Sequence, residues 1–356
     1  MRRWTHHLTA LLCCSAISCA PHPDDITLQG SGATFPAPIY KRWFLEFYHE
    51  NPNVRVNYQS IGSGAGVRQF TEGLTDFGAS DSAMSDKEIA SALEKRPMTE
   101  GVLLVPMTAG SVTLCYNVPG VTPDQGLRLS REVLIDILFG RIDNWNDAAI
   151  AKLNPKLTLP DQPITWVRRS DGSGTTYALT NHLAAMSEEW KKQVGVNKSV
   201  PWPVGIGGKG NPGVAAIVSQ TPGALGYVEY GYALLSNLPM ASVENKAGAF
   251  VAPSLKSNQA ALAEGKMPAN FRLFIPDPAG AGAYPIVTYT WILVPKRFSY
   301  PGDPEREKKV ARTVRKVLRY CLTDGQKFSD DLGYTPLPAN VVGPILEAVE
   351  RIEPRE

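Results

Sequence analysis

Side chains that hold metal ions are scarce in this sequence. Its 356 residues include five histidines and five cysteines, and three of the histidines lie within the first 22 residues. The other two, His49 and His182, are far apart in sequence, and no Cys-x-x-Cys pair or histidine-containing metal motif occurs. The sequence therefore predicts no metal site.

Long apolar runs and an excess of either charge are also missing. Beyond the amino terminus, no stretch approaches the roughly 18 consecutive apolar residues that a membrane-spanning helix needs. The 36 basic residues fall to 34 without Arg2 and Arg3, which equals the 34 acidic residues. A balanced chain argues against nucleic acid as a partner, and the local basic run Lys308–Lys316 is interpreted as the solvated face of a helix. The length predicts two domains.

Motifs for nucleotide binding and for serine hydrolysis are absent. Neither the P-loop pattern nor a full Gly-x-Gly-x-x-Gly occurs. Ser173 is flanked by glycines, but Asp171 stands where the nucleophile motif of hydrolases needs glycine, and no histidine follows His182 to act as a base. No base stands beside a nucleophile, so an enzyme is not predicted, and no cofactor is predicted either.

The amino terminus has the pattern of an export signal. Arg2 and Arg3 precede a short apolar stretch, and residues 1–18 are predicted to be a signal peptide. The run Ala16–Cys19 resembles a bacterial lipobox, in which cleavage precedes a cysteine whose sulfur then carries lipid. Cys19 is the predicted attachment point, which would tether the protein in the periplasm or at the cell surface. The alternative is ordinary cleavage nearby and release into the periplasm.

Two cysteines remain once the amino-terminal ones are set aside. Cys115 lies in a strand-like run and Cys321 in a helical one. Export permits a disulfide between them, but sequence alone does not place them close enough to bridge. Two buried free thiols are predicted, with the disulfide as the alternative.

Short apolar runs alternate with helical stretches, which is the pattern of an α/β protein. Each of three early strands runs into a loop rich in Gly, Ser or Thr. Because helix amino termini present free N–H groups and glycines let the backbone approach a ligand, such loops predict an anion site beyond the carboxyl ends of the strands. The predicted strands are 26–29, 54–58 and 77–80, and the predicted helices that follow the first two are 36–50 and 67–72.

A second set of such features lies in the middle of the chain. A predicted strand over 164–167 leads into Arg169, Asp171 and a helix that starts near Ser173. A guanidinium group matches a tetrahedral oxyanion with two donors, so Arg169 is a candidate ligand residue. The alternatives are that Arg169 and Asp171 form a surface ion pair, and that Asp81, after the third strand, caps the next helix.

Six stretches, in order, resemble the PstS family, the phosphate-binding components of bacterial phosphate ABC importers. They are Gly30–Pro38, Gly62–Gly64, Asp76–Asp81, Arg168–Thr175, Gly207–Asn211 and Pro222–Tyr230. The sequence departs from the family pattern at Ser170, Gly64 and Thr176, and none of these is a matched ligand contact.

The resemblance implies a type II periplasmic-binding-protein fold, with mixed sheets, helices on both faces and a ligand cleft between two lobes. Lobe I is expected over 25–107 and 286–356, and lobe II over 108–285. Family contacts with phosphate carry over to nine positions, and Asp171 matches the residue that supports the arginine. The nine are Ala33, Thr34, Phe35, Ser63, Asp81, Arg169, Ser173, Gly174 and Thr175.

The resemblance implies high-affinity capture of inorganic phosphate and its delivery, by a monomer, to the membrane permease subunits of an ABC importer. Sulfate has no proton near neutral pH, so Asp81 is the candidate acceptor that distinguishes phosphate from it. One alternative is a secreted phosphatase or phosphotransferase with the same anion site. Another is a binding protein of this fold for a different oxyanion, or for sensing.

Overall fold

The computed structural model describes residues 25–96 and 100–354, and the predicted signal peptide and Cys19 lie outside them. Strands and helices alternate along the chain. Up to residue 117 the elements are β1 (Ile26–Gly32), α1 (Ala37–Glu50), β2 (Val54–Ser60), α2 (Ser63–Thr71), β3 (Phe77–Ser80), α3 (Asp86–Lys95) and β4 (Val102–Asn117).

The middle and the end of the chain continue this alternation. From residue 128 to 262 they are β5 (Arg128–Leu129), α4 (Arg131–Leu138), α5 (Ala148–Leu153), β6 (Thr165–Arg169), α6 (Gly174–Met186), α7 (Glu188–Gln193), β7 (Ile206–Gly208), α8 (Gly210–Gln220), β8 (Ala224–Glu229), α9 (Tyr230–Leu235), β9 (Ser242–Glu244), β10 (Phe250–Val251) and α10 (Leu255–Leu262). The last are β11 (Val287–Pro295), β12 (Arg297–Phe298), α11 (Pro304–Leu322), α12 (Ala339–Glu350) and β13 (Glu353–Pro354).

Eight strands form a mixed sheet in the order β2-β1-β3-β11-β4-β8-β6-β7. Strands β2, β1 and β3 are parallel to one another and form what we call the first wing. Strands β8, β6 and β7 are likewise parallel and form the second wing. The two central strands β11 and β4 are antiparallel to their neighbours. The predicted α/β class with mixed sheets is therefore confirmed.

The long strand β4 joins the two wings. Its residues up to Ser111 pair with β11, and its residues from Val112 onward pair with β8. Every residue of β4 except the last is buried, which fits an apolar strand covered on both faces. The Val112 N–H donates to the carbonyl of Ile286 at 2.9 Å, so the chain crosses toward the second wing and returns from it at adjacent points.

Helix α2 begins at Ser63, so the predicted start at Val67 is one turn too late. The glycines that predicted a loop lie inside the first turn of the helix. A Cβ on Gly66 would lie 2.4 Å from the Cα of Gly32, so glycine here allows α2 to pack directly against β1. The glycines serve close packing as well as turn formation.

Several smaller predictions can be checked in the core. The predicted helix over 36–50 is present as α1, and its aromatic side chains Tyr40 and Trp43 are fully buried. Cys115 and Cys321 are buried free thiols, in a strand and a helix respectively. No helix among the described residues is long and apolar enough to cross a bilayer.

Candidate functional site

The site lies where strands of both wings end and helices begin. On the first wing, β1 ends at Gly32 and β3 ends just before Asp81, while α2 starts at Ser63. On the second wing, β6 ends at Arg169 and α6 starts at Gly174. The two sets of loops touch, because the N–H of Gly64 donates to the carbonyl of Gly172 at 2.8 Å. Helix amino termini from both wings therefore converge at one place.

Arg169 is held by a bidentate ion pair with Asp171. Its Nε donates to Oδ1 at 2.8 Å and its Nη2 to Oδ2 at 2.5 Å. The Arg169 side chain is 1% exposed and that of Asp171 is 15% exposed, so the surface-pair alternative is wrong. Burial opposes ionisation of Asp171, but hydrogen bonds and charge from Arg169 outweigh it and hold its pKa below the ordinary value. The pair fixes the guanidinium plane, and Nη1 contacts Thr175 Oγ1 at 3.3 Å.

The start of α6 supplies hydroxyl groups and backbone donors. Ser173 is the N-cap, and its Oγ accepts from the Thr176 N–H at 3.1 Å. Its hydroxyl proton is therefore available to another acceptor. Gly174 faces the first wing so closely that a Cβ there would lie 2.6 Å from Asp81 Cβ and 2.7 Å from Ser63 Oγ. The absence of a side chain at Gly174 is thus a condition for this approach of the two wings.

Asp81 is a buried carboxyl group on the first-wing side. Its Oδ1 accepts from Thr290 Oγ1 at 2.9 Å, and its Oδ2 lies 3.4 Å from Ser63 Oγ. Burial raises its pKa from 3.8 to about 7, although Thr290, Arg169 and Ser63 act in the opposite direction. The alternative role as a helix cap is wrong, because α3 is capped by Ser85, whose Oγ accepts from the Glu88 N–H at 3.2 Å.

The loop after β1 contributes Ala33, Thr34 and Phe35, all of them buried. The Ala33 N–H donates to Ala79 O at 3.0 Å, and the Ala33 carbonyl accepts from Tyr58 OH at 2.7 Å. Both main-chain groups of Ala33 thus have partners within the first wing. The Thr34 side chain instead points across to the second wing, so these neighbouring residues differ in what they offer a ligand.

Sequence reasoning missed four residues around the site. Asn211 donates to Thr34 Oγ1 across the wings at 2.8 Å, and Tyr232 OH donates to the Thr34 carbonyl at 2.8 Å. Thr290 donates to Asp81, and the signal that could have found it was a threonine inside a mostly apolar strand. Glu229 is fully buried and caps α9, and burial raises its pKa well above the ordinary value despite backbone donors that lower it. Asn211 and Glu229 lie in two of the six stretches that resemble the PstS family, but their roles depend on long-range contacts.

Two ion pairs lie at the rim of the site and join α3 to later parts of the chain. Lys198 Nζ lies 2.5 Å from Glu88 Oε1, and Arg272 Nη1 lies 2.9 Å from Asp86 Oδ1. Both acids belong to the first turn of α3. Within the described residues, no group of three or more His, Cys, Asp or Glu side chains could hold a metal ion.

The arrangement as a whole is suited to a small tetrahedral oxyanion. Hydroxyl groups, helix amino termini and one guanidinium group supply donors from both wings, and Asp81 supplies one carboxyl acceptor. The predicted residues that the structure brings to this junction are Ala33, Thr34, Phe35, Ser63, Asp81, Arg169, Asp171, Ser173, Gly174 and Thr175.

The chain is similar in sequence and in fold to known proteins. Residues 20–324 match the model described as a PBP superfamily domain. The chain is 41% identical to a phosphate-binding protein PstS of Pasteurella multocida, over 89% of this chain and 88% of that protein. It is 37% identical to one of Methanocaldococcus jannaschii, over 93% and 87%. A phosphate-binding protein structure from Stenotrophomonas maltophilia matches with a TM-score of 0.70 at 19% identity, over 90% and 93%. The predicted two-lobed periplasmic-binding-protein fold is confirmed.

Proposed function

The chain belongs to the PstS family of phosphate-binding proteins, and from this we propose that it captures inorganic phosphate between its two lobes for an ABC-type importer. The observation that carries the proposal is a set of donors from both wings around the buried carboxyl group of Asp81. Hydrogen bonds to charged groups contribute about 1.5–3 kcal/mol each, so several can offset desolvation and still give the about −8 kcal/mol of a micromolar complex.

Asp81 gives the proposed site its selectivity. Hydrogen phosphate can donate its proton to the carboxylate, whereas sulfate presents only lone pairs and leaves the buried charge repelled. The carboxyl lies 1% exposed and already has partners in Thr290 and Ser63. It is therefore held in place and does not need to be ordered by the ligand. The proposed role is recognition without reaction, and the curated relatives carry the names of binding proteins.

The proposed lobes follow the change of partners along β4. We propose that the first wing belongs to lobe I, over 25–107 and 286–356, and the second wing to lobe II, over 108–285. The crossing at Ser111–Val112 and the return at Ile286 lie near these limits, which supports them. Since donors come from both lobes, bound phosphate would stabilise the closed form that the importer recognises.

Partners and location are proposed on the same basis. The protein would act as a monomer, hand phosphate to the permease subunits of the importer, and work outside the cytoplasmic membrane. Cys19 would carry the lipid that tethers it. Mass spectrometry of the protein from a bacterial membrane fraction would test the tether. We expect a diacylglyceryl group on Cys19 and no such group in a Cys19→Ser variant.

Calorimetric titration of the mature protein, stripped of ligand by partial unfolding and refolding, tests the function. We expect 1:1 binding of phosphate and a negligible response to sulfate. Arg169→Met should abolish phosphate binding. Its matched control is Arg168→Met, which changes the neighbouring residue, whose side chain is half-buried. Equal binding of both anions would contradict the role of Asp81, and no binding of phosphate by the unaltered protein would contradict the function itself.

A further inference from the structure

Asn211 is a fully buried amide that contacts both lobes at the site. It lies in the first turn of α8, and its Nδ2 donates to Thr34 Oγ1 at 2.8 Å and to Thr175 Oγ1 at 3.4 Å. Its backbone N–H also donates to Thr34 Oγ1, at 3.1 Å. Two hydroxyl groups from opposite lobes therefore share one amide as their hydrogen-bond donor.

The orientation of this amide is set from its other end. Asn211 Oδ1 accepts from the backbone N–H of Glu229 at 3.0 Å. An amide oxygen can accept from an N–H group and an amide nitrogen cannot, so the NH₂ group must face the two threonines. Because Glu229 belongs to strand β8, the orientation is fixed by the sheet itself.

The consequence concerns the direction in which each hydroxyl can bond. A hydroxyl group has one proton and two lone pairs. Thr34 Oγ1 accepts from two N–H groups of Asn211, and Thr175 Oγ1 accepts from Asn211 and from Arg169 Nη1 at 3.3 Å. With their lone pairs in use, both hydroxyls can offer only their protons to a ligand.

We propose that Asn211 is a positioning residue that makes Thr34 and Thr175 obligatory hydrogen-bond donors to the bound anion. This inference rests on the proposed capture of phosphate and adds a cause for its selectivity. If neither threonine can accept, two hydroxyl groups that could compete with Asp81 for the proton of hydrogen phosphate are removed. The amide thereby directs that proton to the carboxyl group without touching the ligand.

The test is a double-mutant cycle of Asn211→Leu with Thr34→Val, followed by phosphate titration. Leucine is close to asparagine in shape but donates nothing, so the threonine hydroxyls can then turn away or accept. We expect phosphate affinity to fall about 30-fold in the otherwise unaltered protein, as a lost charged hydrogen bond would give. With Thr34 already replaced by valine, the same change should weaken binding less than about fivefold, because the main hydroxyl that Asn211 orients is gone.

Tyr232→Phe is the matched control, since Tyr232 OH also joins the lobes at Thr34 but through the carbonyl, at 2.8 Å. If Asn211 only joined the lobes, its loss would cost the same with or without the Thr34 hydroxyl, and Tyr232→Phe would weaken binding as much. Either result would overturn the inference. Should the leucine variant not fold, Asn211→Asp keeps the acceptor for Glu229 N–H, and the same cycle applies. Absence of phosphate binding by the unaltered protein would instead remove the proposed function.

Discussion

Asp81→Asn changes one oxygen of the buried carboxyl group to an NH₂ group and leaves the shape of the side chain unchanged. The carboxylate can only accept hydrogen bonds, whereas the amide can donate one. We therefore expect the variant to lose discrimination against sulfate while keeping much of its affinity for phosphate. The Thr290 hydroxyl, 2.9 Å from Oδ1, still has an acceptor in the amide oxygen.

The magnitude follows from the pKa of Asp81, which burial raises to about 7. With that pKa, about one carboxyl in eleven is protonated at pH 8 and about 99 in 100 at pH 5. A protonated carboxyl donates, as the amide does. The affinity of the unaltered protein for sulfate should therefore rise at least about tenfold between pH 8 and pH 5, and more if the empty protein is open with a lower pKa, while that of the variant should stay level. Sulfate itself does not titrate in this range.

Calorimetric titrations with sulfate and with phosphate at pH 5, 6, 7 and 8 give these affinities. Asp161→Asn is the matched control, because Asp161 is exposed and precedes β6, at the end of that strand opposite the site. It should reproduce the unaltered protein at every pH. The reasoning fails if Asp81→Asn keeps the phosphate-to-sulfate ratio of the unaltered protein at pH 8, or if sulfate affinity of the unaltered protein does not change with pH.

Two further predictions concern lobe closure. Gly174→Ala places a methyl group against the opposite lobe, so phosphate affinity should fall more than about 100-fold with little change in urea unfolding. Gly343→Ala, which meets nothing within 4 Å, should leave phosphate affinity unchanged and, because it lies inside α12, raise the free energy of unfolding by about 0.5–1 kcal/mol. A Gly174 variant that binds normally would show that the lobes stay further apart. Lys198→Met removes the ion pair at the rim, in which the Lys198 side chain is 14% exposed and that of Glu88 is 32% exposed. In isothermal titration, phosphate binding should weaken about threefold at low salt and be unchanged at high salt. An effect independent of salt would contradict an electrostatic origin.

Local patterns predicted the elements of the site but not the contacts between lobes. The helix start after β6 could be predicted, because a Ser-Gly-Thr run after an apolar strand is a local signal, and Ser173 is the N-cap. The pairing of Asn211 with Thr34 spans 177 residues of sequence. No local rule joins such distant residues, so the bond that orients the threonine could not be predicted.

The predicted loop over 62–66 shows a different limit. Its glycines predict a loop whose backbone can approach a ligand, although α2 already begins at Ser63. A glycine that allows a helix to lie against a strand has the same sequence signature as one that permits a turn. Only the position of Gly32, 2.4 Å from a Cβ built on Gly66, distinguishes the two roles.

In the proposed function, selectivity and closure depend on the same carboxyl group. Asp81 is buried in this structure partly because Gly174 of the opposite lobe lies against it, so opening the cleft would return its pKa toward 3.8. The closed form then holds the proton more tightly. Empty closure costs nothing at low pH, and its cost grows as the pH rises from about 4 to about 7. Hydrogen phosphate brings its own proton to the carboxylate and offsets this cost, which sulfate cannot do, so at neutral pH the group that rejects sulfate also opposes closure of the empty protein.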